Sequence, residues 1–150
     1  MNPQAQSYWN KFWEGKESPS NVTAEQFGWE GTPLADELAQ SIIKQEKKAT
    51  CPAHIFYELE NEPLPQAGDY TVVLNSQDEP VAIIKNTDIT LIPMNQVTEK
   101  MAISEAGSYD YWYNSHVDFF KTELAEYGKE FQEDLVLVWT SFELIHTNVA

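Results

Sequence analysis

Residues 70–93 read YTVVLNSQDEPVAIIKNTDITLIP, and this stretch decides the fold class. YTVVLN, Tyr70 to Asn75, gathers aromatic and β-branched residues that suit a pleated, half-buried surface and reads as a strand. The polar run SQDEP, residues 76–80, interrupts it with turn formers, and VAII at 81–84 resumes the apolar pattern. Two such runs with a turn between them predict a β-hairpin. Residues 81–94 then give one long strand or two short ones.

Outward from the hairpin, helical and extended periods alternate. Downstream, a helical region opens near Met94 with Asn95 as a possible cap. SYDYWYNSHVDFFKTELAEYG at 108–128 repeats apolar residues at Tyr109, Trp112, Tyr113, His116, Phe119, Phe120 and Leu124, the spacing of one helix face. DLVLVWTSFELIHT at 134–147 is strand-like. Upstream, ENEPLPQAGD at 60–69 is a proline-punctuated turn, and HIFYELE at 54–60 reads as extended. Thr32 followed by Pro33 is a helix start, a capping residue and then proline where its missing N–H costs nothing. Leu34, Ala35, Leu38, Ala39, Ile42 and Ile43 carry that helix to about Lys47. KESPSNVTAEQFGWEGTP at 16–33 is a loop. Tyr8, Trp9, Phe12 and Trp13 give residues 3–15 an amphipathic helix that docks on the body. No internal repeat and no long linker is present, so the expectation is one α+β domain with helices around a mixed sheet.

Composition bounds the function. The 150 residues carry 24 acidic side chains against nine basic ones, a net charge of −15, and all nine basic residues are lysine. Proteins that coat duplex nucleic acid need a basic face; this chain lacks one, although a local basic pocket remains open to it. Five Trp, seven Tyr and seven Phe argue against disorder. The single cysteine, Cys51, excludes a disulfide framework and a cysteine-based zinc site. No positive leader followed by an apolar run opens the sequence, and no apolar run approaches the roughly 18 residues of a membrane span. A cytoplasmic domain without a membrane partner is the expectation.

Three features bear on chemistry. Lys44, Lys47 and Lys48 put a third of the basic charge at a helix end. Favourable pairing with the helix dipole explains them without any function. Alternatively, Lys47 aims its amine at Thr50: a threonine hydroxyl needs a base to become a nucleophile, and lysine becomes one when burial favours its neutral form. Glu105 lies between two helical stretches, where most carboxylates of so acidic a chain are simply solvated. His116 is one turn from Trp112 and Phe120, as core histidines often are. It has no second histidine or paired acid at metal-ligand spacing, so neither a metal nor any other cofactor is expected. No glycine-rich phosphate loop or nucleophile elbow occurs.

The order of the segments FGWEGTPLADELAQSIIKQEKKAT, YELENEPLPQAGDYTVVLNSQDEPVAIIKNTDITLIPMNQVTEKMA, YDYWYNSHVDFF and the closing FELI resembles the ASCH domain family, in its longer bacterial branch, over about residues 27–146. That resemblance implies a PUA-like mixed β-barrel with flanking helices. Residues 1–25 would be an added helix and connector to a domain at 26–150, the whole a single compact unit. It also implies recognition of RNA or of a modified nucleoside. One smaller member hydrolyses the amide of N(4)-acetylcytidine with a Lys, a Thr three residues later and a Glu, without a metal; another is described as a ribonuclease. Carried over by motif, these catalytic positions fall on Lys47, Thr50 and Glu105. Two departures stand out: Gln45 replaces a common glycine, and Pro52 occupies the place of an arginine that would offer a bidentate fork. Lys48 and His54 would then serve as point contacts to substrate, with Trp29 or Tyr57 under a base. The partners this suggests are a small-molecule nucleoside or single-stranded RNA, not duplex DNA. The nucleoside carries no phosphate and is the one that the acidic charge favours. A non-catalytic RNA-binding module is the alternative, with Lys44, Lys47 and Lys48 on phosphates; a ribonuclease is a third.

Overall fold

A computed structural model describes residues 1–148. In chain order it contains helix α1 (Pro3–Phe12), strand β1 (Val22–Glu25), helix α2 (Pro33–Ile43), strand β2 (Ala49–Thr50), helix α3 (His54–Leu59), strands β3 (Tyr70–Leu74) and β4 (Pro80–Pro93), a 3-10 turn (Met94–Gln96), helices α4 (Glu99–Ala106) and α5 (Tyr109–Glu126), and strand β5 (Val136–Thr147). The strands form a sheet in the order β1-β3-β4-β5-β2. The class is α+β, as expected; among the described residues the sheet stays open, with β1 and β2 at its edges.

The chain divides into two compact units. Residues 1–45, 66–87 and 142 onward make the first, and residues 46–65 and 88–141 the second. The long strands β4 and β5 contribute residues to both.

In the first unit the hairpin forms as the sequence predicts. β3 and β4 pair antiparallel, Tyr70 opposite Lys85 and Val73 opposite Ala82, with a register shift at Val73/Leu74. Asn75 holds the turn, its side-chain oxygen accepting the N–H groups of Gln77 and Glu79 at 3.0 Å each. Asp78 takes the left-handed conformation there, φ 61°, which a short polar side chain tolerates better than most. β4 is one strand of 14 residues, not two. β1 lies within the stretch read as a loop and pairs parallel to β3, Val22 opposite Tyr70. Four residues in a polar run are too few for alternation to declare a strand; the partner does so.

Helix α1 starts at Asn2, whose side-chain oxygen accepts the Ala5 N–H at 2.7 Å. It buries Ala5 and Trp9 with Val72, Leu74 and Ile83. Pro33 opens α2, but Thr32 gives no side-chain cap; its hydroxyl donates to the Trp29 carbonyl at 2.6 Å. Asp36 in the first turn instead accepts the Ser76 N–H and hydroxyl, at 2.9 and 2.7 Å. The helix stops at Ile43, earlier than its apolar stripe suggests, because Gln45 turns left-handed, φ 60°. Gly28 precedes it at φ 78°, and a Cβ there would meet Leu34 and Leu38 at 3.0 Å.

In the second unit HIFYELE is a helix, contrary to the extended reading. Ala53 bridges to Leu137 and the Val138 N–H donates to the Pro52 carbonyl at 2.8 Å. The extended stretch therefore ends at Ala53, and Ile55 and Phe56 turn onto the core. The region expected to open at Met94 is a 3-10 turn. The helix proper starts at Thr98, whose hydroxyl accepts the Met101 N–H at 3.2 Å. Gly107, φ 88°, ends α4, and Ser108 caps α5 by accepting the Tyr111 N–H at 3.2 Å. The core joins Ala49, Cys51, Ala53, Met94, Trp112, Phe120, Leu124, Leu137 and Trp139. No helix among the described residues is long and apolar enough to cross a membrane.

Candidate functional site

The site lies wholly in the second unit and starts from an alternation. From residue 47 to 53, Lys47, Ala49, Cys51 and Ala53 are buried, while Lys48 is exposed and Thr50 and Pro52 are half-buried. This is the period of an extended chain, whose side chains alternate between two faces. The segment is pinned on both sides. Ala49 and Thr50 pair with Ser141 and Thr140 of β5, and the Lys48 N–H donates to the Ser104 carbonyl of α4 at 2.7 Å.

The inward residues meet α4 and α5. Lys47 Nζ forms an ion pair with Glu105 Oε1 and also donates to the Glu105 carbonyl at 3.3 Å. Each residue is only 5% exposed. The other carboxylate oxygen, Oε2, faces His116 Nε2 at 3.2 Å and lies 3.8 Å from Cys51 Sγ. On the far side of the imidazole, Nδ1 is 2.7 Å from the Trp112 carbonyl. The Trp112 indole N–H donates to Cys51 Sγ at 3.4 Å. Glu105 thus stands between an amine and an imidazole, with a thiol beside it and an indole behind.

Burial sets the charge states. Desolvation pushes the Cys51 thiol well above its usual range, and the Glu105 charge adds to that. Desolvation also holds His116 below the ordinary histidine value of 6.5; Lys47 works in the same direction, while Glu105 and the Trp112 carbonyl oppose it. Cys51, Glu105 and His116 bring three donor atoms within 4.8 Å of one another, a set of the kind that zinc accepts. An ion there would have to take the proton from a thiol that burial makes hard to ionise, beside a carboxylate already paired with Lys47.

Of the residues expected at a site, Lys47 and Glu105 are joined directly. Thr50 sits on β2 beside Cys51, on the face it shares with Lys48, so a spacing of three places it opposite Lys47 along the strand. Lys48 presents its side chain outward. His54 begins α3 and faces Glu58 Oε1 at 3.3 Å, and Tyr57 is half-buried in that helix. Trp29 belongs to the first unit. His116, read from the sequence as a core histidine with no paired acid at metal-ligand spacing, faces Glu105 across one nitrogen and the Trp112 carbonyl and Ser115 hydroxyl across the other.

The family model of the ASCH domain matches residues 23–146. Among solved structures, an ASCH domain from Lactobacillus crispatus is 30% identical with a TM-score of 0.90, over 96% of this chain and 95% of that one. A protein from Enterococcus faecalis assigned to the family DUF984 is 36% identical with a TM-score of 0.87, over 97% of this chain and 90% of that one. No curated protein matches. The fold is of the PUA-like class. The chain belongs to the ASCH domain family, one suggested to bind RNA.

Proposed function

We propose that this protein is a hydrolase of acylated pyrimidine nucleosides, cleaving an amide of the kind found in N(4)-acetylcytidine, with Lys47 and Glu105 as its acid–base pair. The buried Lys47–Glu105 pair carries the reading. Apolar residues of equal volume often stabilise as well as a buried ion pair or better, and titratable groups held out of water cluster at functional sites. In the reaction Lys47, once its own proton has passed to Glu105, takes the proton of the attacking hydroxyl, from Thr50 or from a water on the Lys47 face, while that oxygen bonds to the amide carbon. A proton delivered through Glu105 reaches the leaving N4 nitrogen as the C–N bond breaks and cytidine departs. Water then hydrolyses the Thr50 ester to acetate. Since Thr50 stands on the opposite face of β2 from Cys51, a water deprotonated by the same Lys47 is the competing attacker.

The experiment follows cytidine release from N(4)-acetylcytidine. Wild type should turn over, Lys47→Met should lose about 100-fold or more in kcat, and Thr50→Ala should be inactive yet folded. Full activity in Thr50→Ala would make water the nucleophile. No release by wild type, or undiminished release by Lys47→Met, would overturn the reading.

RNA binding is the second reading, supported by the exposed Lys44 and Lys48. Lys47 is committed to Glu105, so a polynucleotide would meet one lysine fewer than the sequence suggests. Affinity for a single-stranded RNA oligonucleotide that falls steeply with salt would support it; no binding at low salt would remove it.

A further inference from the structure

The contacts of His116 leave a proton to be accounted for. Its Nδ1 faces the Trp112 carbonyl at 2.7 Å, and a carbonyl only accepts, so Nδ1 carries hydrogen. In a neutral ring Nε2 then holds a lone pair. That lone pair points at Glu105 Oε2, 3.2 Å away, which as a carboxylate oxygen also only accepts. Two acceptors do not stay at this distance in a buried site unless a proton lies between them. The other oxygen of the same carboxylate is held by Lys47. Lys47, Glu105 and His116 therefore form one hydrogen-bonded chain. It can hold its mobile proton at three places: on the amine, on the carboxylate or on the imidazole.

We propose that His116 is the outer end of a proton relay, storing the proton that Lys47 removes and Glu105 passes on, and returning it by the same path. In the forward direction the O–H bond of the attacking hydroxyl breaks and an N–H bond forms at Lys47. Lys47 then gives a proton to Glu105 Oε1, and a proton on Oε2 moves to His116 Nε2, leaving an imidazolium. In the return the imidazolium gives Nε2–H back to Oε2, and the proton reaches the departing amine. No proton is gained or lost over the cycle. His116 touches no substrate in this scheme; it is a positioning residue acting through Glu105. The role deepens the hydrolase reading and rests on it for the origin of the proton, but the coupling between the three groups does not.

The groups facing His116 are few. Glu105 comes from α4, Lys47 and Cys51 come from the segment before and within β2, and the Trp112 carbonyl and the Ser115 hydroxyl, 3.4 Å from Nδ1, belong to α5 itself. The balance among them is legible by experiment. The long-range nitrogen–proton NMR signals of the imidazole are followed through a pH titration of the full chain, with His116→Gln assigning them among the three histidines. Wild-type His116 should titrate below 6.5. Lys47→Met, which removes a cation, should move its midpoint up by about one unit, and Glu105→Gln, which removes an anion, should move it down by about as much. Each variant is checked for native near-UV circular dichroism, and either one alone decides. A midpoint that stays put in a folded variant overturns the relay, whatever the substrate proves to be. If N(4)-acetylcytidine is turned over, His116→Gln should lower kcat about tenfold or more, leave KM in place and abolish the acid limb of the pH profile. A change confined to KM would overturn the relay as well. Shifted midpoints without any turnover would overturn the hydrolase and keep the coupling of the three groups, whereas turnover with unmoved midpoints, or with His116→Gln as fast as wild type, would overturn the relay alone.

Discussion

The two units bury polar groups in different ways. In the first, buried Asn86 serves the backbone: its amide donates to the Gln66 carbonyl at 3.3 Å, its N–H to the Asp69 carbonyl at 2.8 Å, and its carbonyl accepts the Gly68 N–H at 2.8 Å. It fastens the loop that enters β3. In the second, Lys47 and Glu105 are buried a little more deeply but pair with each other, and Glu105 also with His116. The first unit hides polarity to close a turn. The second hides charge where apolar residues often serve a fold as well, and that contrast is what the proposed hydrolase reading rests on.

Three changes press on that contrast. The largest effect is expected from Glu105→Ala, which strands a buried ammonium and should cost about 3–5 kcal/mol by urea unfolding. Replacing both partners, Lys47→Met with Glu105→Leu, should recover most of that loss while leaving no activity. A double variant as unstable as the single one would show that the pair is structural. Next, Ile83→Ala in the first unit, at a fully buried position, should cost about 2–5 kcal/mol through lost burial and a cavity, and should leave the His116 titration unmoved. A shift there would mean that the cluster responds to packing at large.

The smallest effect concerns acid. Because His116 is held below 6.5 in the folded chain, the unfolded chain binds its proton more readily. The stability it supports is complete above 6.5 and is lost as pH falls toward the depressed folded value. Thermal midpoints of wild type should therefore decline between about pH 7 and pH 5.5, and His116→Gln should flatten that decline by under roughly 1 kcal/mol. An identical slope in both proteins would place the acid sensitivity elsewhere.

The sequence made the hairpin and both long helices legible because their signals are local: the SQDEP turn, Thr32–Pro33, and the repeat from Tyr109 to Leu124. It misled at HIFYELE, where aromatic and β-branched residues favour a strand but Ala53 ends the pairing with β5. β1 was hidden because only its parallel partner makes it a strand. At the site, Lys47 and Glu105 came from family resemblance, since a lysine and a glutamate 58 residues apart show no spacing at all. His116 was passed over for a related reason. Eleven residues separate it from Glu105, and no single helix brings such positions together. Gly107 does, by ending α4 in a left-handed turn so that α5 can start anew from Ser108. The alternation of burial from Lys47 to Ala53 was present in the residue types, but too short to declare itself.

Cys51 has a practical consequence. It is the chain's one thiol, it lies beneath Trp112 beside Glu105, and it is 3% exposed. An alkylating reagent can reach it only when the second unit opens, so the rate of labelling clocks that opening without any engineered probe. The cysteine is a native stopwatch in the core beside Glu105, and under the proposed chemistry a ligand that grips Glu105 should slow it.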